Sequence, residues 1–585
     1  MDTLPPLSRA FARFIAQQSN EAMDAIVPRT AAWLSLVNQQ GHVCLDLVKK
    51  SKQPWFDAVG SEQYAPPFET WKKALEANHC IADGAGYAPM VLCDGLLYLH
   101  RFYSAESRLI KAIRCRLHAP LKLDVIKLWH DLHAIFGTQS TGEQAQAVAL
   151  AAGSLFAVIS GGPGTGKTTS LVKLLAVLLA QQPSMQIRLA APTGKAAARM
   201  MEAIREKINT LNIDASVRQA IPTDAYTIHR LLGFDGRDYR HRTEHRLALD
   251  CLVIDEASMV DLPMMARVVD ALPTHARLIL LGDRDQLASV EAGSVLGDIT
   301  GNGMTMHQQS EATRHWLASL HRGQPIKRID KTFPIADAIA LLSTSYRFSG
   351  DSGIASLATA SHAGDANAAA ACFDQPYADI VWQHSSTGIT EQAATEYAKC
   401  YAQTAEETLH RLDSFRVLCA IKKGSVGVEG INQAIAAFLQ QRGIVRGMHG
   451  MLIMITINHT GLELFNGDVG LIWRDDKNDN IKAYFNQLDG GVRVIPLTSL
   501  PAYVPAWAIT VHKAQGSEFD RVMLVLPDNA DNPLLDRALL YTAITRARQC
   551  FMLYATPAVL TSMIERKPHR SSGLAQRLGW SASTP

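Results

Sequence analysis

Apolar and polar positions along this chain fall into blocks whose period changes, and those changes mark its elements. Near the start, LSRAFARFIAQQ repeats apolar residues at helical spacing, and GHVCLDLV contains a short strand-like run. Residues 91–103, VLCDGLLYLHRFY, place Asp94-Gly95 at the turn of a hairpin. From about residue 135, continuous apolar runs alternate with helical stretches: FAVI before SLVKLLAVLLA, IRLAA before GKAAARMMEAI, then CLVI and RLILL. Runs apolar on both faces, separated by helices, predict a parallel α/β core. The chain turns polar and irregular between 297 and 335, then resumes with VLCAI (417–421) and VMLVL (522–526) as strands of a second α/β core. Between about 443 and 503 the texture shifts to short strands and turns, MLIMITIN, GDVGLIW and IKAYFN, which predict a small β-barrel inserted in that core. The expected division is a small α+β domain over 1–130, a first core over 135–340, and a second core over 341–585 carrying the barrel.

Composition narrows the class. The chain has 585 residues, of which 47% are hydrophobic and 19% charged, enough apolar material for several cores. Its net charge is only +2, so binding to nucleic acid has to come from local basic surface. One such segment is GRDYRHRTEHR (236–246), with Arg237, Arg240, Arg242 and Arg246. Nine cysteines without C-x-x-C or Cys/His spacing argue against a zinc, iron–sulfur or disulfide framework and for a reducing compartment. With no basic start plus apolar core at the N-terminus, and no apolar run near ~18–20 residues, the expectation is a cytoplasmic protein without a membrane partner. Residues 1–130 hold no catalytic pattern. Tyr98, Phe102 and Tyr103 are either core residues or a docking surface for a partner.

Chemistry concentrates where the first strand of the first core ends. Residues 158–169, VISGGPGTGKTT, contain Gly161, Gly162, Pro163, Gly164, Thr165, Gly166, Lys167, Thr168 and Thr169. The pattern G-x-x-x-x-G-K-[ST] between a strand and a helix is a phosphate cradle, in which backbone N–H groups surround phosphate oxygens, Lys reaches the outer phosphates and Thr holds Mg²⁺. ATP and Mg²⁺ are thus the expected cofactors. Leu252-Val253-Ile254 delivers Asp255 and Glu256 to the carboxyl end of a strand, where ligands of open α/β sheets bind. Asp255 suits the Mg²⁺ shell, and Glu256 suits polarising the attacking water. Asp283 and Gln286 follow another apolar strand, where an amide senses the terminal phosphate. Glu143 and Gln144 lie just upstream of the loop's strand.

The order GGPGTGKTT, APTGKAAARM, TIHRLLG, VIDEAS, LGDRDQL, SYRF, VHKAQGSEFD and YTAITRAR resembles the superfamily 1 DNA helicases, and most specifically their RecD family, the helicase subunits of RecBCD-type exonuclease V complexes. The resemblance covers roughly residues 135–560. It implies an α/β fold of two RecA-like P-loop NTPase domains, with ATP between them and single-stranded DNA across their tops. Carried over by position, Gly164, Gly166, Lys167 and Thr168 bind triphosphate and Mg²⁺, Asp255 and Glu256 are the metal and water carboxylates, and Gln286 is the phosphate sensor. Arg347 of SYRF and Arg546 of TRAR are implied arginine fingers from the second core, a role worth ~10³–10⁵ in rate in related phosphoryl transfers. Gln144 is implied at the adenine edge, and Gln515 and Glu518 on the ATP side of VHKAQGSEFD. Thr193, His229, His512 and Lys513 are implied contacts to the DNA backbone. One departure is GMHGMLIMI (447–455), which lacks the aromatic and Pro of the family pattern, whereas FNGDVG is retained.

The implied function is an ATP-dependent 5′-to-3′ translocase and helicase acting on single-stranded DNA and duplex ends in double-strand break repair by homologous recombination, within a heterotrimer with RecB-like and RecC-like subunits. The chain carries no clustered carboxylates with a partner Lys, so the nuclease site is expected on another subunit. Two alternatives are a free-standing helicase of the same branch and a regulatory P-loop switch. The short N-terminal region lacks tandem helix–hairpin–helix patterns, against the first; Arg347, Arg546 and a second core stand against the switch.

Overall fold

Strands apolar on both faces have to be covered on both faces, and here they form two parallel sheets sandwiched by helices. The computed structural model describes residues 4–57, 63–301, 309–321, 326, 334–347, 351–385, 388–474, 480–487 and 491–580. The first sheet runs in the order Ile339–Leu342, Phe156–Gly161, Arg277–Gly282, Cys251–Ile254, Ile187–Ala191, Ala225–Thr227, with every pairing parallel. Alternation along Phe156–Gly161 divides its side chains: Ala157 and Ile159 pack with helix Lys167–Gln181, while Phe156 and Val158 pack with helix Leu262–Ala271. The second sheet runs Ile380–Gln383, Ala547–Tyr554, Phe519–Val525, Phe415–Cys419, Ala508–Thr510, again all parallel.

The segment expected as a barrel is an antiparallel sheet in the order Val492–Pro496, Ile481–Asn486, Val469–Arg474, Leu452–Ile455, Tyr503–Pro505. Its two outer strands do not pair with each other among the described residues, so it is an open sheet over a small core of Ile453, Ile455, Leu464, Ile472, Ala483, Phe485 and Ile495. Both outer strands end in proline, Pro496 and Pro505, which has no N–H to donate to a closing ladder.

The N-terminal unit pairs helices Pro6–Ser19 and Ile26–Gln39 with a four-stranded sheet, Cys44–Asp46, Leu96–Leu99, Met90–Cys93, Ile81–Ala82. Asp94 and Gly95 take φ of 50° and 78°, the left-handed pair that a two-residue hairpin turn requires. The hairpin stops at Leu99, and helix His100–Leu117 leaves the unit to pack Phe102, Leu109, Ile110 and Ile113 against Leu262, Met265 and Val269 of the first core. Tyr98 and Phe102 are therefore buried, which removes them as a docking surface. Of the stretch expected to be irregular, Val295–Thr300 and Glu311–His321 are helices, and residues 302–308, 322–325 and 327–333 lie outside the described residues. The end of the chain returns to its beginning: the Ser571 carbonyl accepts from Val43 N–H at 2.8 Å, and Arg577 and Ser572 bind the buried Glu106 carboxylate at 3.0 and 3.2 Å.

Candidate active site

Strand Phe156–Gly161 ends in the glycine-rich turn, and helix Lys167–Gln181 opens directly after it. Gly164 and Gly166 take φ of 77° and 82°, where a side chain is strained. Space bears on both: a Cβ on Gly164 would lie 2.4 Å from Arg347 Cβ, and one on Gly166, 2.1 Å from Gln144 Nε2, would push that amide off the loop. The Lys167 ammonium donates to the carbonyls of Gly161 (2.5 Å) and Gly162 (2.9 Å), and Thr165 Oγ1 donates to the Gly162 carbonyl (2.8 Å). Thr168 and Thr169 occupy the first helical turn, whose N–H groups have no partner within the helix. Gln144 donates to the Thr165 carbonyl at 3.2 Å, which makes it a brace under the loop. These groups fit a nucleotide's phosphates, since Lys167 rests on neutral carbonyls that anionic oxygens would outcompete.

Asp255 and Glu256 follow strand Cys251–Ile254. Glu256 takes φ 53° and ψ 40°, a left-handed conformation uncommon outside glycine, held by its N–H donating to Asp255 Oδ1 at 2.9 Å. Burial, together with the neighbouring Glu256 charge, pushes the Asp255 carboxyl up to about 6, against the pull of Lys167. Asp283, buried at the end of Arg277–Gly282, is also raised by burial and opposed by Lys167. Its Oδ2 accepts from Gln286 Nε2 at 3.0 Å, so the expected phosphate sensor is turned onto this acid.

The arginines differ from expectation in where they arise. Residues 343–347 continue from Ile339–Leu342, the edge strand of the first sheet, so Arg347 reaches the loop from the first core and not the second. The cause is the apolar run 339–342, which is buried only by adding alongside Phe156–Gly161. Glu143 holds the segment, accepting from Ser343 N–H (2.8 Å), Ser343 Oγ (2.5 Å) and Thr344 N–H (3.1 Å), and Tyr346 N–H donates to the Gly164 carbonyl at 2.8 Å. Arg347 Nη2 donates to Glu518 Oε1 at 2.7 Å, while its Nη1 is buried without a partner among the described residues. Glu518 also faces Arg199 at 3.5 Å and Arg548 at 3.2 Å. Burial works against its charge, yet Arg347 and Arg199 hold the carboxyl down to about 2. Arg546, 3% exposed, spends its guanidinium on Thr542 O, Ser517 O and Thr545 Oγ1 within the second core. Gln515 donates across the cleft to the Leu287 carbonyl at 2.7 Å.

Thr193 caps helix Gly194–Ile208, its hydroxyl accepting from Ala196 N–H at 3.2 Å. His229 is exposed beside Phe234 and Tyr239, with ring centroids 5.7 and 6.0 Å away, next to the exposed Arg237, Arg240, Arg242 and Arg246. His512 and Lys513 lie on the turn Val511–Ala514; burial lowers the pKa of both, and Lys422 adds to it. The turn FNGDVG joins these positions. Phe465 packs on Gly194, where a Cβ would lie 2.8 Å from its ring, and Asn466 accepts from Lys513 Nζ at 2.6 Å. Sequence reasoning missed these bracing roles of Phe465 and Asn466, as well as Glu143, Tyr541 and the exposed Lys422-Lys423 pair. Only the Lys pair, directly after a strand, carried a local signal.

Residues 1–98 match the N-terminal domain of RecBCD enzyme subunit RecD, residues 144–292 an AAA domain, and residues 505–554 the UvrD-like helicase C-terminal domain. RecBCD enzyme subunit RecD of Haemophilus influenzae is 34% identical over 559 residues, covering 88% of this chain and 85% of its own. The protein of the same name from Mycolicibacterium smegmatis is 36% identical over 533 residues, with coverage of 88% and 87%. The ATP-dependent RecD2 DNA helicase of Deinococcus radiodurans is 29% identical over 495 residues, covering 83% of this chain but 59% of that protein.

Proposed function

Because this chain belongs to the RecD family of superfamily 1 DNA helicases, we propose that its ATP-dependent helicase activity runs 5′ to 3′ along single-stranded DNA entered at duplex ends, within a RecBCD-type heterotrimer containing RecB-like and RecC-like subunits. The two parallel cores serve as RecA-like motor domains, the antiparallel sheet over 452–505 as an insertion in the second, and the N-terminal unit as the partner-docking region. Lys167, Thr168 and Asp255 would hold Mg²⁺·ATP, which when bound supplies the phosphoryl group and the metal's charge stabilisation. Glu256 takes a proton from the attacking water. Gln286 leaves Asp283 to sense the outer phosphate, and Arg347, with its free Nη1, stabilises the charge that develops there. Arg546 joins only after giving up bonds inside the second core, which ties catalysis to cleft closure. Thr193, His229, His512, Lys513 and the Lys422-Lys423 pair position the DNA backbone.

The observation that carries the reading is that the phosphate loop is roofed from both cores, by Arg347 of the first over Gly164 and by Tyr541 of the second over Gly162. A P-loop switch with one core has no such roof. A free-standing helicase is disfavoured by the match of residues 1–98 and by the smaller share of the RecD2 protein that is covered. The test is ATP hydrolysis with and without single-stranded DNA, and unwinding of substrates with 5′ or 3′ overhangs. Stimulation by DNA and preference for the 5′ overhang are expected, and Glu256→Gln should bind ATP without turning it over. Hydrolysis indifferent to DNA would overturn the motor, and a 3′ preference would overturn the polarity.

A further inference from the structure

The loop after strand Arg277–Gly282 belongs to the first core by chain and to the second by contact. Leu287 is buried in the apolar cluster of the second core. Its N–H donates to Thr542 Oγ1 at 2.8 Å, and its carbonyl accepts from Gln515. Asp285 lies 3.5 Å from His362 of helix Gly353–Ala363. At the root of the loop, Asp283 Oδ1 accepts from Asp285 N–H at 3.1 Å, while Oδ2 accepts from both Gln286 Nε2 (3.0 Å) and the Tyr541 hydroxyl (3.3 Å). Tyr541 sits on helix Arg537–Ile544 of the second core, and a Cβ on Gly162 of the phosphate loop would come within 2.8 Å of the same hydroxyl. One phenol group from the second core therefore bonds the acid that holds Gln286 and fills the space beside Gly162 of the phosphate loop.

We propose that Tyr541 is the positioning residue through which occupancy of the phosphate loop is passed to the second core, an inference that rests on the ATP-driven reading above. Asp283 Oδ2 is buried and shared by two donors. When the Gln286 amide turns toward an outer phosphate, Oδ2 keeps only the Tyr541 hydroxyl, and a buried carboxylate oxygen draws its remaining donor closer. That pull acts on helix Arg537–Ile544, which leads within two residues to Arg546. Leu287, plugged into the second core, keeps the loop and this helix in register while the exchange occurs. The device is two alternative hydrogen-bond sets on one oxygen, a two-state element that both the nucleotide and the second core bias.

The test measures single-stranded oligothymidylate affinity of the full chain with and without Mg²⁺ and a non-hydrolysable ATP analogue, and the reciprocal effect of DNA on analogue affinity, which linkage requires to be equal. In the parent the two DNA affinities should differ. In Tyr541→Phe, which keeps the ring and removes only the hydroxyl, their ratio should fall to within about twofold of one. Asp283→Asn should do the same, and the double variant should be no worse than either single one. A preserved ratio in both single variants overturns the assignment, as does a loss of melting temperature that weakens both affinities equally. A parent chain with no coupling and no DNA-stimulated hydrolysis would instead remove the premise, so the two failures are distinguishable.

Discussion

Lys167 and Asp255 show how much single groups carry at this site. Lys167→Gln removes a charge whose hydrogen-bond acceptors among the described residues are two loop carbonyls, so hydrolysis should fall by about 10²–10³-fold while the thermal melt stays near the parent's. Steady-state rates and a melting curve check both halves. Asp255 gives a pH signature. Its carboxyl is raised from 3.8 to about 6 by burial and by Glu256. Between those values the unfolded chain ionises and the folded one does not, so this group's contribution to stability is lost as pH rises toward 6. A metal-holding carboxylate has to be ionised, so the Mg²⁺ concentration for half-maximal hydrolysis should rise by up to about tenfold per pH unit below 6. Magnesium titrations across that range should show this rise, and the residual activity of Asp255→Asn should lack it. The identities of these residues were legible because the phosphate-loop pattern is local. The strain at Glu256 and the upward shift at Asp255 were not, because φ and burial depend on what packs around the strand end.

At the scale of elements, the segment 343–347 behaves as an arm clamped at its root by Glu143. Burial opposes the charge on Glu143, but the hydrogen bonds from Ser343 and Thr344 prevail and hold its carboxyl below the usual range. Glu143→Ala frees the arm that carries Arg347 and should lower kcat by about 10- to 100-fold, with a smaller change in ATP affinity; a Glu143→Gln variant, which keeps an acceptor, should recover part of the rate. The apolar runs announced FAVI, IRLAA, CLVI and RLILL of the first parallel sheet and VLCAI and VMLVL of the second. They did not announce 339–342: the expected boundary at 340/341 put Arg347 in the second core, and only the pairing of that run with Phe156–Gly161 assigned it to the first. The antiparallel sheet was legible as short strands and turns, whereas its openness depended on which edges meet.

At the scale of the whole molecule, the chain is closed by its last described residues. Arg570 donates to the carbonyls of Glu291 and Gly293, Trp580 to that of Ile299, and Arg577 to the buried Glu106. Arg577→Met strands Glu106 without its cation and should destabilise the protein by about 3–5 kcal/mol. Burial already raises the Glu106 carboxyl, and protonation relieves a stranded charge, so the gap between variant and parent melting temperatures should narrow as pH falls. Deletion of residues 1–130 removes Phe102, Leu109, Ile110 and Ile113 from the cluster they share with helix Leu262–Ala271, so soluble yield of the truncated chain is expected to collapse. The sequence by itself determined the two parallel cores, the phosphate loop and the paired carboxylates, because each rests on residues near one another in the chain: strand periods, a turn that demands glycine, a motif read within a dozen positions; the order of such motifs along the chain determined the family. Tertiary structure alone decided which core presents Arg347, that Gln286 is held by Asp283 under Tyr541, and that Ser571 closes onto Val43. The deciding contacts, Tyr541 on Asp283 and Ser571 on Val43, join residues hundreds of positions apart, and no local period or propensity encodes which distant surface a buried side chain will meet.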